Sequence, residues 1–309
     1  MTKSLLLLVD DRGYIRSNCY QSQLAETLRE NYRVRMLSLR EIRTIPLVRV
    51  ASYDRILSVL RLRSLSANLP AIARLLGGAP LHVYEQDVWQ AFMDDSPWRG
   101  AYAEIAAKLN VSAFLVTSRW WCDFVAARGL PARFVRMGML ARHCNPGPDW
   151  DERPTLLGFQ GTEHPHRRVF FNQIRSLGLT VDIFPSAPYE AYLDDLHRMR
   201  VFIHTENQPW QVDGKWLSRN ALWIKETEVA ARGTFSIRDY EDESAAYGID
   251  ESPTIFTFRN VEEIPNIVNR LETMPVRERR DRMVAAAETM RRRADWMTVV
   301  NAIEEGNGA

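Results

Sequence analysis

The sequence predicts an α/β protein made of two Rossmann-like, doubly wound domains, each with a parallel sheet covered by helices. The chain has 309 residues, which is more than a domain with one hydrophobic core usually contains, because single cores stop growing at about 250 to 300 residues. Short apolar runs alternate with amphipathic segments along the chain, which is typical of parallel sheets. The segment 145–154 is dense in Pro, Gly and Asp and indicates a linker. We therefore predict an N-terminal domain over residues 1–148 and a C-terminal domain over residues 149–309.

Strands of the N-terminal half are predicted from short, mainly apolar runs, as expected for strands buried on both faces. These runs are 5–9, 34–39, 55–60, 81–84, 113–117 and 134–137. Helices are predicted where apolar residues recur at helical spacing, and Gly77 and Gly129 end two of them. The predicted helices cover 21–30, 71–76, 102–109 and 119–128.

The alternation restarts after the linker. Strands are predicted over 155–159, 180–184, 201–204, 234–237 and 254–258, and helices over 168–177, 189–199 and 221–231. The arginine-rich segment 277–303 is predicted as one or two closing helices, either charge-laced and exposed or forming a basic patch for a membrane surface or nucleic acid. Ligands of open parallel sheets bind beyond the carboxyl ends of strands, so two such domains predict a cleft lined by residues that follow strands.

Composition narrows the class of protein. The formal net charge is +1, so no excess of Lys and Arg argues for general binding to nucleic acid. Three cysteines without a CxxC pair favour reduced thiols and a cytoplasmic protein. The apolar run 5–9 is too short for a signal segment or a membrane span, so we expect at most peripheral membrane contact. His164 and His166 lack metal-ligand spacing, and no GxGxxG motif supports a dinucleotide, so no metal or cofactor is predicted.

The segment 228–237, EVAARGTFSI, resembles the signature of the glycosyltransferase group 1 family. Residues 134–138 and 157–161 resemble the strand before the interdomain crossing and the first strand and loop of the nucleotide-binding half. Residues 255–265 resemble the late strand and helix of these enzymes, and the later part of the chain is similar to their spore-maturation-type branch. The resemblance implies the GT-B fold, with a nucleoside-diphosphate sugar bound by the C-terminal domain and the acceptor by the N-terminal domain.

The resemblance also assigns residues to the nucleotide sugar. Glu228 would accept hydrogen bonds from ribose hydroxyls, a task that suits an acceptor-only carboxylate. Lys225 and Arg219 would neutralise the leaving diphosphate, although solvated helix cations are the ordinary alternative. The family often has a second Glu eight residues before the first, and this sequence has Asn220 there.

A loop after the first strand of the C-terminal half adds to this site. Gly161 opens the loop, and its backbone N–H groups with Arg167 or Arg168 are predicted to hold phosphate.

The acceptor side is predicted at the end of the strand 81–84. Asp87 and Glu85 are the candidate catalytic carboxylates, as general base for the acceptor hydroxyl. Gln86 replaces a His that is typical of the family, while Asp87 is kept. Trp89, with Phe92 and Trp98 nearby, is a candidate sugar-stacking residue, and burial of these rings in the core is the alternative. For Asp87, capping of the next segment is the alternative to catalysis. Gly13, after the first strand, would let a substrate approach the backbone.

The predicted function is that of a metal-independent, hexosyltransferase-like glycosyltransferase. It would move a sugar from a nucleoside-diphosphate sugar to a hydroxyl of a cell-surface glycan, a lipid-linked sugar or a metabolite. Two alternatives stay open: a phage-type transferase that modifies nucleic-acid bases, and a GT-B binding module without turnover. The departures at Asn220 and Gln86 are the reason for the second alternative.

Overall fold

The computed structural model describes residues 2–11, 21–44, 50–205, 210–217, 224–240, 252–293 and 295–305. Its first sheet has six strands in the order β2-β1-β3-β4-β5-β6, and every neighbouring pair is parallel. The strands are β1 (Ser4–Val9), β2 (Arg33–Ser38), β3 (Arg55–Ser58), β4 (Leu81–Glu85), β5 (Val111–Val116) and β6 (Ala132–Phe134). All six residues of β1 are buried, as its uninterrupted apolar run predicts for a central strand.

Helices connect these parallel strands, since a parallel pair needs a crossover. They are α1 (Gln21–Asn31), α2 (Leu39–Thr44), α3 (Leu62–Ala67), α4 (Leu69–Leu76), α5 (Ala101–Lys108) and α6 (Arg119–Ala126). The structure adds α2 and α3 to the predicted helices. The last strand was predicted over 134–137, but β6 covers Ala132–Phe134 and so lies closer to the N-terminus.

The second sheet has five parallel strands in the order β13-β12-β9-β7-β8. The strands are β7 (Thr155–Gln160), β8 (Asp182–Phe184), β9 (Met199–His204), β12 (Phe235–Asp239) and β13 (Ile255–Phe258); a separate antiparallel hairpin comprises β10 (Trp210–Val212) and β11 (Lys215–Leu217). The helices are α7 (Pro165–Ser176), α8 (Tyr189–Leu196), α9 (Ile224–Ala231), α10 (Ile264–Thr273), α11 (Val276–Arg293) and α12 (Met297–Glu305). Two parallel α/β domains confirm the predicted fold class. None of the helices in the described ranges combines the length and apolar character that a membrane crossing requires.

The described residues form two compact units that do not follow a single cut after residue 148. The first unit contains the described residues up to Arg136, together with the hairpin 210–217 and residues 296–305. The second unit contains the remaining described residues from Met137 to Asp295. The predicted roles of residues 1–148 and 149–309 in acceptor and donor binding stay predictions.

Ionic contacts hold the C-terminal helix α12 in the first unit. Glu304 accepts hydrogen bonds from the Tyr32 hydroxyl at 2.6 Å and from Arg55 at 3.0 Å, and it also pairs with Lys3. Ile303 is completely buried beside it in the sequence. This helix therefore belongs to the core of the first sheet unit, although it is far from that sheet in sequence.

The predicted linker is packed within the second unit around a buried guanidinium. Arg153 is 1% exposed and donates to the carbonyl oxygens of Pro146 at 2.6 Å and Met199 at 2.9 Å, and to Oγ1 of Thr234 at 2.7 Å. Burial lowers the pKa of Arg153 to about 9. The carbonyl oxygens that accept these hydrogen bonds compensate the charge of the buried guanidinium. Arg153 thereby links the segment 145–154 to the strand region of the second sheet.

The arginine-rich helix α11 also contacts this segment. Arg291 donates to the carbonyl oxygen of Cys144 at 2.6 Å, Arg280 pairs with Asp149 at 3.1 Å, and the buried Arg279 lies 3.6 Å from a carboxylate oxygen of Asp151. Three arginines of the predicted charge-laced surface therefore make contacts within the second unit.

Candidate functional site

The carboxyl end of β7 carries the first group of candidate residues. Gly161 follows the strand with φ of 153°. The ammonium group of Lys225, on α9, donates to the carbonyl oxygen of Gln160 at 2.6 Å and lies 4.9 Å from the ring centroid of Phe159. A Cβ at position 161 would collide with Nζ of Lys225. Glycine at this position therefore lets the cation sit against the strand end.

The amide of Gln160 fixes the same strand end. Its Nε2 donates to the carboxylate of Asp195 at 2.8 Å and to the carbonyl oxygen of Pro185 at 2.7 Å. The acceptor of the Lys225 hydrogen bond is therefore held on a rigid element.

Glu228 lies one helical turn beyond Lys225 and is 2% exposed. Its Oε1 accepts a hydrogen bond from the Tyr189 hydroxyl at 2.6 Å. Burial raises the pKa of Glu228, while the hydroxyls of Tyr189 and Tyr192 and the nearby Lys225 ammonium oppose that rise. The structure thus brings Gly161, Lys225 and Glu228 together and adds Tyr189, which no sequence motif indicated.

Helix α9 carries a second buried carboxylate that the sequence analysis missed. Glu226 is completely buried, its Oε1 accepts a hydrogen bond from Arg238 at 2.9 Å, and Nε2 of His204 lies 3.5 Å from the same oxygen. Arg238 and His204 are themselves at most 1% exposed. The helix sequence, IKETEVAA, is half polar and gives no signal of burial, yet the structure buries seven of its eight residues. Charged residues within it must then find partners inside the protein.

Arg167 and Arg168 occupy different environments at the start of α7. Arg167 is buried, donates to the carbonyl oxygen of Thr162 at 2.6 Å, and stacks 5.3 Å from the ring centroid of Phe159. Arg168 is exposed. Arg167 and Lys225 therefore share the Phe159 ring beside the N-terminus of a helix, which is a favourable environment for an anion.

Three predicted residues lie outside the described residues. They are Gly13, Arg219 and Asn220, and their roles stay predictions.

Glu85 ends β4 in the first unit and is 6% exposed. Its Oε1 accepts a hydrogen bond from the backbone N–H of Asp87 at 2.9 Å. Burial, with a smaller contribution from the charge of Asp87, raises the pKa of Glu85 to about 8. Asp87 is half-buried and precedes the short 3-10 turn Val88–Ala91, where its side chain makes no capping hydrogen bond. The two candidate catalytic carboxylates thus occur as a close pair at a strand end.

These carboxylates border a cavity of about 270 Å³ within the first unit. Polar and cationic side chains line it, among them Gln21, Arg61, Arg63, Gln86 and Gln90. The aromatic residues of the lining are Tyr84 and Trp98. Trp89 is not among them: it is 5% exposed and stacks on Trp210 with ring centroids 5.0 Å apart. The cavity can hold a hydroxyl-bearing ligand beside a carboxylate.

The two sheets and the carboxyl-end positions of these groups define the class of fold as GT-B. Similar solved structures agree. HepE of Anabaena in complex with UDP has a TM-score of 0.64 at 13% identity, with 98% of each chain covered. T4 phage BGT in complex with its UDP-glucose substrate has a TM-score of 0.63 at 12% identity, covering 99% of this chain and 100% of that one. A glycosyltransferase from Rickettsia africae has a TM-score of 0.62 at 9% identity, with both chains fully covered.

At these identities the similarity establishes the fold and nothing finer. No family model matches the chain. No curated protein matches it either. The resemblance to the spore-maturation-type branch therefore stays a prediction.

Proposed function

We propose that this chain is a glycosyltransferase that moves a sugar from a nucleoside-diphosphate sugar to a hydroxyl group of an acceptor. The observation that carries the proposal is the Lys225 ammonium beside Gly161, one helical turn from the buried Glu228, at the carboxyl edge of the second sheet. Support also comes from similar structures that were solved with UDP or UDP-glucose.

The second unit would bind the donor. Lys225 and the N-terminus of α7 stabilise the negative charge that develops on the departing diphosphate. Glu228, oriented by Tyr189, accepts hydrogen bonds from ribose hydroxyls. In this proposal these groups supply the charge stabilisation, so transfer of the hexosyl group needs no metal ion.

The first unit would hold the acceptor, with Asp87 as the general base. The acceptor oxygen forms a bond to the anomeric carbon, its proton goes to the Asp87 carboxylate, and the bond to the diphosphate breaks with its electron pair on the leaving oxygen. Glu85, with a pKa raised to about 8, is protonated at neutral pH and so places no second negative charge beside the base. The acceptor classes proposed are a cell-surface glycan, a lipid-linked sugar and a metabolite.

Thermal unfolding with added nucleotides tests the donor site. UDP, GDP, ADP, CMP and TDP and their common sugars are compared on wild type, Lys225→Ala and Glu228→Ala. A ligand that binds only the folded state stabilises it by about 2.7 kcal/mol at 100 times its dissociation constant. We expect such a shift for one base, lost in both variants and kept in Arg175→Ala, an exposed control in the last turn of α7. A shift for no nucleotide overturns the proposal.

The same assay separates the alternatives. Donor binding without hydrolysis or transfer to any acceptor favours a GT-B binding module. Salt-dependent binding to duplex DNA, followed by modification of its bases, favours a transferase of the phage type.

A further inference from the structure

The hairpin of β10 and β11 lies between β9 and α9 in sequence, yet it packs in the first unit. Asp213 with φ of 50° and Gly214 with φ of 74° form its two-residue turn. Trp210 pairs with Leu217, Gln211 with Trp216, and Val212 with Lys215. Since paired residues share a face and successive residues alternate, Gln211 and Trp216 occupy the face opposite to Trp210 and Val212.

A charged network holds the turn in place. The two carboxylate oxygens of Asp94 accept hydrogen bonds from the backbone N–H groups of Asp213 at 2.9 Å and Gly214 at 2.8 Å. Arg128 and Arg99 donate to the Asp213 carboxylate at 2.6 Å and 3.1 Å. Hydrogen bonds therefore hold both the backbone of the turn and the side chain of Asp213.

The inner face of the hairpin is packed as well. Trp210 stacks on Trp89, and Val212 is 2% exposed. The outer face carries Trp216, with 70% of its surface exposed, and the exposed Gln211. An indole on a rigid support loses little conformational entropy when a ligand stacks on it.

We propose that Trp216 and Gln211 form a carbohydrate subsite, in which the indole stacks on a pyranose ring and the amide hydrogen-bonds to its hydroxyls. The segment that supports the hairpin, residues 89–99, also contributes Gln90 and Trp98 to the cavity beside Asp87. In this proposal the occupant is a sugar unit of a multi-sugar acceptor, away from the reacting hydroxyl. This identification of the acceptor class rests on the proposed transferase function.

The isolation of Trp216 favours a sugar over a membrane surface. Among the described residues of the first unit it is the one strongly exposed large apolar side chain. Membrane docking uses a broad apolar face, whereas the immediate partner of Trp216 across the hairpin is an amide.

The test is calorimetric titration of the full chain with maltohexaose, cellohexaose and chitohexaose. We expect at least one hexasaccharide to bind, with affinity reduced about tenfold or more by Trp216→Ala, less by Trp216→Phe, and measurably by Gln211→Ala. Lys215→Ala, on the other face of the same hairpin, is the matched control and should bind like wild type.

Two results overturn the subsite: no hexasaccharide binds, or the affinity is the same in Trp216→Ala. Binding to phosphatidylglycerol vesicles that depends on Trp216 also overturns it, in favour of a membrane contact. Nucleotide-dependent thermal shifts of Trp216→Ala separate the two proposals, because loss of the subsite leaves donor binding intact, whereas failure of the transferase proposal removes the shifts from wild type too.

Discussion

Replacing Glu85 by glutamine removes one buried titratable group while keeping its shape and its hydrogen-bond acceptor. The carboxyl group is 6% exposed and accepts a hydrogen bond from the Asp87 backbone. Burial raises its pKa from 4.5 to about 8. Glutamine resembles the protonated form, so the variant isolates the cost of charging this site.

The size of the effect follows from the pKa difference. A native pKa above the unfolded value means that the folded state binds the proton more tightly, so the stabilisation is complete below pH 4.5 and is lost as the pH rises to about 8. Each pH unit within that window changes the free energy of unfolding by about 1.4 kcal/mol. Between about pH 5.5 and pH 8.5, wild type should lose about 3 kcal/mol relative to Glu85→Gln.

Urea unfolding at several pH values measures this difference. Wild type and Glu85→Gln are compared at each pH, so that contributions from all other groups cancel. Glu104→Gln serves as the control, because Glu104 is an exposed carboxylate on α5 whose side chain retains 55% of its surface. The control should track wild type within about 0.5 kcal/mol at every pH.

A flat difference between wild type and Glu85→Gln across this range refutes the reasoning. Glu85 would then be ionised in the folded protein as easily as in the unfolded chain. Its proposed role as a neutral neighbour of the base Asp87 would fall with it.

Three further substitutions test other contacts. Gly161→Ala should displace Lys225 and weaken nucleotide-sugar binding about tenfold or more in the thermal assay, whereas Gly178→Ala, where an added Cβ meets open space, should leave binding unchanged. Arg153→Met should lower the free energy of unfolding by about 3 kcal/mol, since it leaves several buried carbonyl oxygens unpaired. Arg198→Met is the control, because the Arg198 side chain is 60% exposed. An equal loss of stability in both variants would contradict this prediction. Asp94→Asn should speed amide hydrogen exchange in the hairpin turn, and unchanged exchange would show that the turn does not depend on that carboxylate.

Strand positions were predicted best where the chain has a continuous apolar run. The strands β1 and β7 lie within a residue of their predicted positions, because strands buried on both faces admit few polar residues. Helix α8 was predicted to continue to residue 199 but ends at Leu196, since strand pairing takes over from Met199. Sheet pairing is a long-range interaction that local periodicity does not contain.

The hairpin 210–217 was not predicted, although its sequence contains a typical hairpin turn. Asp213 and Gly214 form the Asp-Gly pair that favours a two-residue hairpin turn. The site itself was predictable only in part, because Gly161, Lys225 and Glu228 follow strand ends or a family signature, whereas Tyr189 reaches Glu228 from a different helix. Such contacts depend on how helices pack on the sheet, and spacing along the chain does not encode them.

The packing of the hairpin and of α12 in the first unit has a consequence for biosynthesis. The chain passes between the units four times, after residues 136, 208, 221 and 295. A fragment that stops at residue 148 therefore lacks Trp210, the stacking partner of Trp89, and Glu304, the partner of Tyr32. Domains usually fold in order as they emerge from the ribosome, but here the first unit completes its core only once synthesis has passed residue 305.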